Sequence, residues 1–249
     1  MASSTTILFV PGAWHIPSVF QPVVQQLEAA GYKTDLVSLP SIGPKEHLKN
    51  FNPDVDEIRK HIEASANAGQ NVVVVAHSYG SIPASEAIKG LDLKSRKAAG
   101  QSGGVTHLFF LAAFIIPEGQ TLISAFGGND LPWFNINEAR TEVNPDRPAE
   151  IFYNDMPEAD QQAAIANLLP FSYQVFHSPL TYAAWRDVPS TYLYCKQDAA
   201  IPLQIQELMV TGTAQGVPIK TETVDTGHSP FMTKPAEVAE AIKRAAAGQ

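Results

Sequence analysis

The sequence is poor in cysteine, in charge and in long apolar runs, and each shortage excludes a class of protein. Its single cysteine, Cys195, cannot form a disulfide within the chain. Charged residues make up 17% of the 249 residues, too few for a disordered chain, and the formal net charge of −8 argues against nucleic acid or an anionic membrane as a partner. No apolar run reaches transmembrane length, and residues 1–6 lack the basic start of a signal peptide. We therefore expect a cytoplasmic protein that binds neither nucleic acid nor membrane.

Apolar residues, by contrast, make up 45% of the sequence and occur in short runs that alternate with amphipathic segments. Six of these runs predict buried strands, at residues 7–10, 33–39, 72–75, 105–113, 191–195 and 219–224. Helices are predicted between them, the first with a capping box of Ser18 and Gln21, and residues 94–104 are predicted to form a mobile surface loop. This alternation predicts an α/β fold with a doubly wound, mainly parallel six-stranded sheet.

The alternation stops between residues 118 and 185. This segment is rich in proline and aromatic residues, is loosely helical and has no run typical of a buried strand. It is too long for a loop, so we predict a helical cap (lid) inserted into a core domain of residues 1–117 and 186–249. Ligands of open α/β sheets bind at the carboxyl ends of the strands, and the cap should cover that edge.

The four valines at residues 72–75 lead directly into Ala76-His77-Ser78-Tyr79-Gly80, and a helix-compatible segment follows. A buried strand, a sharp turn with small flanking residues and a helix are the setting of a nucleophile elbow, with Ser78 as the nucleophile. The usual first glycine of this motif is Ala76 here, a difference of one methyl group. The alternative is an ordinary strand-to-helix turn with Ser78 as the N-cap.

Asp198 and His228 each follow a later predicted strand, so they should lie at the same sheet edge as Ser78. A serine hydroxyl needs a base to remove its proton, and a histidine base needs an acid to fix its tautomer. We therefore predict a triad of Ser78, Asp198 and His228. Three alternatives remain open: Asp198 could be a helix cap, Asp225 could be the acid, and His228 could be an ordinary loop histidine.

The remaining site assignments concern the oxyanion hole and the substrate pocket. Two backbone N–H donors are needed for the oxyanion, and we assign them to Tyr79 and to Ala13 in the loop after the first strand, although Pro11-Gly12 could equally be a plain turn. The substrate-binding residues are predicted to be Gly12, Trp14, Phe126, Trp133, Phe134 and Ser229. The other histidines show no metal-ligand spacing, so we predict no metal, and His77 is interpreted as a packing residue rather than a second base.

The motifs LFVPGAWH, LEAAGY, VVVVAHSYG, LFFLAAFIIPEG, YLYCKQDAAIP and GHSPF, with PAEVAEAI after the last, give the chain a family resemblance. The sequence is similar to the α/β-hydrolases, and within them it resembles the plant methylesterases, salicylate-binding esterases and hydroxynitrile lyases. The resemblance implies a six-stranded parallel core with a lid and no cofactor. The lyases of this group resemble one another in a threonine at the position of Gly12 and a lysine at that of Ser229, so the resemblance disfavours lyase chemistry.

We expect a serine esterase or lactonase that acts on a small, largely apolar substrate. The alternatives are a non-hydrolytic enzyme of the same fold, such as a lyase or a cofactor-free oxygenase, and a hydrolase-like receptor for a small ligand. Proteins with each of these three functions occur within one superfamily, so the fold alone does not distinguish between the functions. The expected partner is a small-molecule ester or lactone, and a homodimer is compatible with the sequence.

Overall fold

The computed structural model describes residues 5–248 of the chain. Its centre is a parallel sheet of six strands in the order β2-β1-β3-β4-β8-β9. The strands of this sheet are β1 (Thr5–Val10), β2 (Lys33–Leu36), β3 (Asn71–His77), β4 (Gly104–Leu111), β8 (Ser190–Cys195) and β9 (Ile219–Val224). The predicted α/β fold class is confirmed.

Helices cover both faces of the sheet. The helices that follow its strands are α1 (Gln21–Ala29), α2 (Asn52–Asn67), α3 (Ser81–Ala87), α4 (Leu93–Ala98), α8 (Leu203–Leu208), α9 (Pro230–Thr233) and α10 (Pro235–Ala246). Because side chains alternate along a strand, Val72 and Val74 of β3 face the same side as α2 and α3, while Val73 and Val75 face α1 and α10. All four valines are fully buried, as expected of a central parallel strand.

Two local predictions are wrong. The capping box of Ser18 and Gln21 is absent, because a 3₁₀ turn over Pro17–Phe20 precedes α1 and no side chain caps it. The predicted loop at residues 94–104 contains α4, whose N-terminus is capped by Asp92, with Ser95 N–H donating to its Oδ1 at 2.8 Å. Arg96 of this helix is buried and donates to the carbonyl oxygen of Gly103 at 2.9 Å, a tertiary contact that holds the segment.

The segment at residues 118–185 contains helices and, in addition, a small antiparallel sheet. Its helices are α5 (Leu122–Ala125), α6 (Pro148–Phe152) and α7 (Glu158–Ile165). Its strands are β5 (Phe134–Ile136), β6 (Glu142–Pro145) and β7 (Phe171–Ser172), in that order. Both residues of β7 are buried, so the expectation that the segment has no buried strand is wrong. Strands of two to four residues are too short to show alternation in a sequence.

Cys195 lies in β8 with a buried, free thiol, and burial raises the pKa of that thiol. Within residues 5–248, no helix is both long enough and apolar enough to cross a membrane.

Candidate active site

Ser78 lies at the tip of a sharp turn between β3 and α3. Its φ of 50° falls in the left-handed region, which a serine adopts only under constraint from its surroundings. The turn needs a glycine at position 80, because a Cβ there would come within 2.3 Å of the carbonyl oxygen of Pro11. Ala76, which replaces the usual first glycine, is fully buried in β3 and pairs with Phe110 of β4. Its methyl group is thus accommodated in the core, and the elbow geometry is intact.

Asp198 and His228 are hydrogen-bonded to each other. His228 Nδ1 lies 2.8 Å from Asp198 Oδ2, and both side chains are almost fully buried. The other carboxyl oxygen of Asp198 accepts the backbone N–H groups of Ala200 and Ile201, each at 2.8 Å. Asp198 therefore caps the following turn and also contacts the histidine. The two interpretations from the sequence, a cap and a partner of the histidine, both describe this residue. A carboxylate at Nδ1 favours the tautomer whose proton is on Nδ1, which leaves Nε2 as an acceptor.

The rival acid, Asp225, lies away from the histidine. Its side chain is exposed and accepts the amide of Gln197 at 3.1 Å. Within residues 5–248 no hydrogen bond joins Asp225 to His228. The structure thus favours Asp198 as the partner of the histidine.

The histidine ring lies beside the elbow without a direct bond to the serine. Its centroid is 4.7 Å from that of His77, the residue before Ser78, and 5.6 Å from that of Phe152. Among the residues that the structure describes, neither the Ser78 hydroxyl nor His228 Nε2 takes part in a hydrogen bond. Catalytic hydrogen bonds of this kind are often long in ligand-free enzymes and tighten when substrate binds.

His77 is neutral and holds the backbone of the other histidine. Its Nε2 lies 2.9 Å from the carbonyl oxygen of His228, and because a carbonyl only accepts, Nε2 carries the proton. Burial, with His228 and His15 nearby, holds the pKa of His77 well below its usual value. A side chain that stays neutral and donates its proton to a carbonyl is not a second base. It connects the elbow to the histidine loop, a contact that the sequence did not reveal.

The loop after β1 approaches the elbow closely. A Cβ on Gly12 would lie 2.8 Å from His77 Nδ1 and 2.9 Å from Ser78 Cβ, so only glycine fits there. Among the described residues, no hydrogen bond is formed by the backbone N–H of Ala13. Tyr79 lies in the first turn after β3, where backbone N–H groups have no partner within the helix. Both amides are therefore suited to binding an oxyanion beside Ser78.

Ser78 lines a small apolar cavity. Its free volume is about 20 Å³, room for roughly one water molecule. It is lined by Ala13, Trp14, Ser78, Tyr79, Phe114, Leu122, Leu131, Trp133, Phe134, Phe176, Ala200 and Ile201. The loop after β1, the elbow, the segment at 118–185 and the turn after Asp198 all contribute to this wall.

Three of the six residues predicted to bind substrate line the cavity, and three do not. Trp14, Trp133 and Phe134 line it. Gly12 lies behind it, against His77 and Ser78. Ser229 is fully buried at the start of α9, and Phe126 packs against Phe114 from outside the cavity, so neither residue lines it.

A model of the alpha/beta hydrolase family matches residues 7–241. The chain belongs to the alpha/beta hydrolase family. The alpha/beta hydrolase nvfD of Aspergillus novofumigatus (strain IBT 16806) is 31% identical to it over 243 residues, and the match covers 96% of each protein. The protein is therefore a hydrolase, and its elbow, Asp198–His228 pair and amide-bearing loop lie where this fold places its chemistry.

Two solved structures share the fold of this hydrolase. The methylesterase MES16 from Arabidopsis superposes with a TM-score of 0.73 at 20% identity, over 98% of this chain and all of that one. Polyneuridine aldehyde esterase superposes with a TM-score of 0.74 at 16% identity, over 98% of both chains. At these identities the likeness concerns the fold alone. Together with the family match, this shared fold confirms the resemblance to the plant methylesterase group that the motifs indicated.

Two consecutive residues of the segment at 118–185, Tyr153 and Asn154, form hydrogen bonds with the loops of the site. The Tyr153 hydroxyl lies 3.0 Å from Nε2 of His15, and Nδ1 of the same ring lies 2.8 Å from the carbonyl oxygen of Ala13. Asn154 donates to the carbonyl oxygen of Gln197 at 2.8 Å, beside the acid. Burial lowers the pKa of His15 to about 4, so this ring is a neutral link between the segment and the predicted oxyanion loop of the hydrolase. Contacts between residues so far apart leave no local signal in a sequence.

A buried carboxyl supports the side chain of the elbow tyrosine. Asp54 is fully buried and accepts the Tyr79 hydroxyl at 2.8 Å and the backbone N–H of Ser41 at 2.9 Å. Burial raises the pKa of Asp54 to about 6, and the hydrogen bonds only partly oppose this rise. The group is thus harder to ionise in the folded hydrolase than in the unfolded chain.

We expect Asp54 to give the hydrolase a stability component that is lost as the pH rises. Below the ordinary aspartate pKa of 3.8 this component is fully present. Between that pH and about 6 the unfolded chain ionises first, so the component disappears with rising pH, by at most about 3 kcal/mol. Urea unfolding from pH 4 to 7 should therefore show wild-type stability falling relative to that of Asp54→Asn up to about pH 6. Curves that stay parallel would contradict the raised pKa.

Proposed function

We propose that this hydrolase is a serine esterase or lactonase that cleaves a small, largely apolar carboxylic ester or lactone through an acyl-enzyme intermediate on Ser78. The observation that carries the proposal is the 2.8 Å contact between His228 Nδ1 and Asp198 Oδ2, with Ser78 strained at the elbow beside them. The relative named alpha/beta hydrolase nvfD and the fold shared with the solved methylesterase MES16 support it.

The mechanism follows from the chemistry of these groups. His228 Nε2 accepts the proton of Ser78 as its Oγ attacks the ester carbonyl carbon, and Asp198 stabilises the imidazolium that forms. The amides of Ala13 and Tyr79 donate to the developing oxyanion. The imidazolium returns the proton to the departing alcohol, and the acyl group stays on Ser78. Water then attacks the acyl-enzyme with His228 again as the base, and the carboxylic acid is released.

In this proposal the segment at 118–185 acts as the cap of the pocket. Five of the side chains that line the cavity come from it, namely Leu122, Leu131, Trp133, Phe134 and Phe176. Its two arginines are committed elsewhere, since Arg140 pairs with Asp130 at 2.8 Å and Arg147 with Glu150 at 3.1 Å. A lining of this kind binds by apolar burial, at about 25 cal/mol per Å².

We therefore expect apolar aromatic or medium-chain esters and lactones to be hydrolysed in preference to charged or sugar esters. The measurement is kcat/KM over a panel that includes phenyl and alkyl esters, a lactone, a dicarboxylate monoester and an acetylated sugar. The apolar members should exceed the polar ones by tenfold or more. A polyanionic or carbohydrate ester with the highest kcat/KM would refute the apolar pocket, and failure to hydrolyse any member would count against the esterase itself.

A further inference from the structure

A second, larger apolar depression lies beside the cavity that Ser78 lines. Its volume is about 450 Å³, against about 20 Å³ for that cavity. Ile115, Phe126, Ile205, Leu208 and Met209 form most of its wall, and no charged side chain lines it. Leu208 lies at its rim and is 60% exposed. We call this depression the side groove.

The side groove and the Ser78 cavity are lined by neighbouring residues of the same elements. Three elements each contribute to both spaces. In the segment that follows β4, Phe114 lines the cavity and Ile115 lines the groove. Leu122, in α5, lines the cavity, and Phe126, just after α5, lines the groove. Ile201, in the turn before α8, lines the cavity, and Ile205, in α8, lines the groove.

Direct contacts hold these neighbouring residues together. The rings of Phe114 and Phe126 meet edge to face with centroids 5.2 Å apart. On the other side, Met209 Sδ accepts the backbone N–H of Ile115 at 3.2 Å. The Phe126 ring therefore lies between the groove and Phe114, whose side chain lines the cavity.

The cavity alone is too small to hold an ester that carries an alkyl chain. A volume of about 20 Å³ holds roughly one water molecule, so part of any ester must extend elsewhere. The side groove is adjacent, apolar and open to solvent.

We propose that the side groove binds a linear alkyl chain of the substrate, with Phe126 as the residue that controls its access to Ser78. This inference rests on the proposed esterase function and specifies its substrate class: esters that carry a flexible aliphatic chain of medium length. We assign an apolar occupant because seven of the nine residues that line the groove are apolar, and the other two, Gln120 and Thr213, are uncharged.

The test compares chain lengths in matched variants. For p-nitrophenyl decanoate and p-nitrophenyl acetate, the ratio of kcat/KM values should fall tenfold or more in Leu208→Glu, because a charged side chain then meets the alkyl chain. It should stay within twofold in Gln204→Glu, which adds the same charge at an exposed position of α8 outside the groove. Phe126→Ala should raise the ratio at least threefold. Thermal unfolding of each variant checks that the fold is kept.

A second arm identifies which side of the ester the chain belongs to. The kcat/KM ratio of decyl acetate to ethyl acetate tests a chain on the alcohol side of the ester. The ratio for the p-nitrophenyl pair tests a chain on the acid side. The proposal requires that Leu208→Glu lowers at least one of the two ratios. If acetate esters are hydrolysed but neither pair responds to Leu208→Glu or Phe126→Ala, the side groove is not a chain site. If no ester is hydrolysed at all, the esterase function itself fails. A shift from dimer to monomer in Leu208→Glu, with unchanged ratios, would instead show that a second copy of the chain covers the groove.

Discussion

Replacing Ser78 by alanine should reduce the turnover of an activated aryl ester on the order of a million-fold, by analogy with serine proteases that lose their nucleophile. The substitution removes the only atom proposed to attack the carbonyl. Alanine keeps the Cβ of serine and removes only the hydroxyl group, so its effect should be confined to chemistry. The measurement is the rate of p-nitrophenyl acetate hydrolysis by the purified variant.

The matched control is Ser102→Ala, which removes the same hydroxyl group from an exposed position next to β4. It should retain wild-type turnover and a wild-type melting temperature. Ser78→Ala should keep that melting temperature within a few degrees. If purified Ser78→Ala kept a tenth of the wild-type rate, the assignment of the nucleophile would be wrong.

Replacing Asp198 by asparagine should lower turnover by roughly ten-thousand-fold through the wrong histidine tautomer. The reason is that the two carboxyl oxygens have different hydrogen-bond partners. Oδ1 accepts the amides of Ala200 and Ile201, so an asparagine would keep its carbonyl oxygen there. Its NH₂ group would then point at His228 Nδ1, which would have to accept. The proton would move to Nε2, and the ring could no longer take a proton from Ser78.

Asp225→Asn is the control for this substitution. Asp225 is exposed and pairs with Gln197, so its loss should change turnover less than twofold. Both variants are measured at the same pH and with the same ester. A larger loss in Asp225→Asn than in Asp198→Asn would reverse the assignment of the acid.

The parts of the site that could be predicted from the sequence are those that local chemistry constrains. Four consecutive valines require a strand buried on both faces, and the small residues after them allow a turn in which Ser78 has a φ of 50°. Asp198 and His228 were predictable because each lies in the loop that follows a strand of the sheet. The parallel order then brings the three strand ends to one edge.

The parts that could not be predicted depend on contacts between distant residues. Nothing near His15 in the sequence indicates Tyr153, and nothing near Ser78 indicates that His77 donates to the backbone of His228. Phe126 was predicted from its aromatic character to line the pocket, but the position of α5 puts it one layer outside, behind Phe114. Helix α4 was missed because the buried contacts of Arg96 stabilise it, and side-chain polarity alone suggested a loop.

The central claim is that Ser78 is an activated nucleophile, and covalent labelling tests it most directly. A fluorophosphonate ester reacts with serine nucleophiles to give a tetrahedral phosphonyl adduct that resembles the intermediate of ester hydrolysis. After incubation with the wild-type protein, peptide mass spectrometry should find a single adduct on Ser78, and none in Ser78→Ala. Asp198→Asn should label far more slowly. An active esterase that takes up no label at Ser78, or takes it up at another residue, would contradict the account.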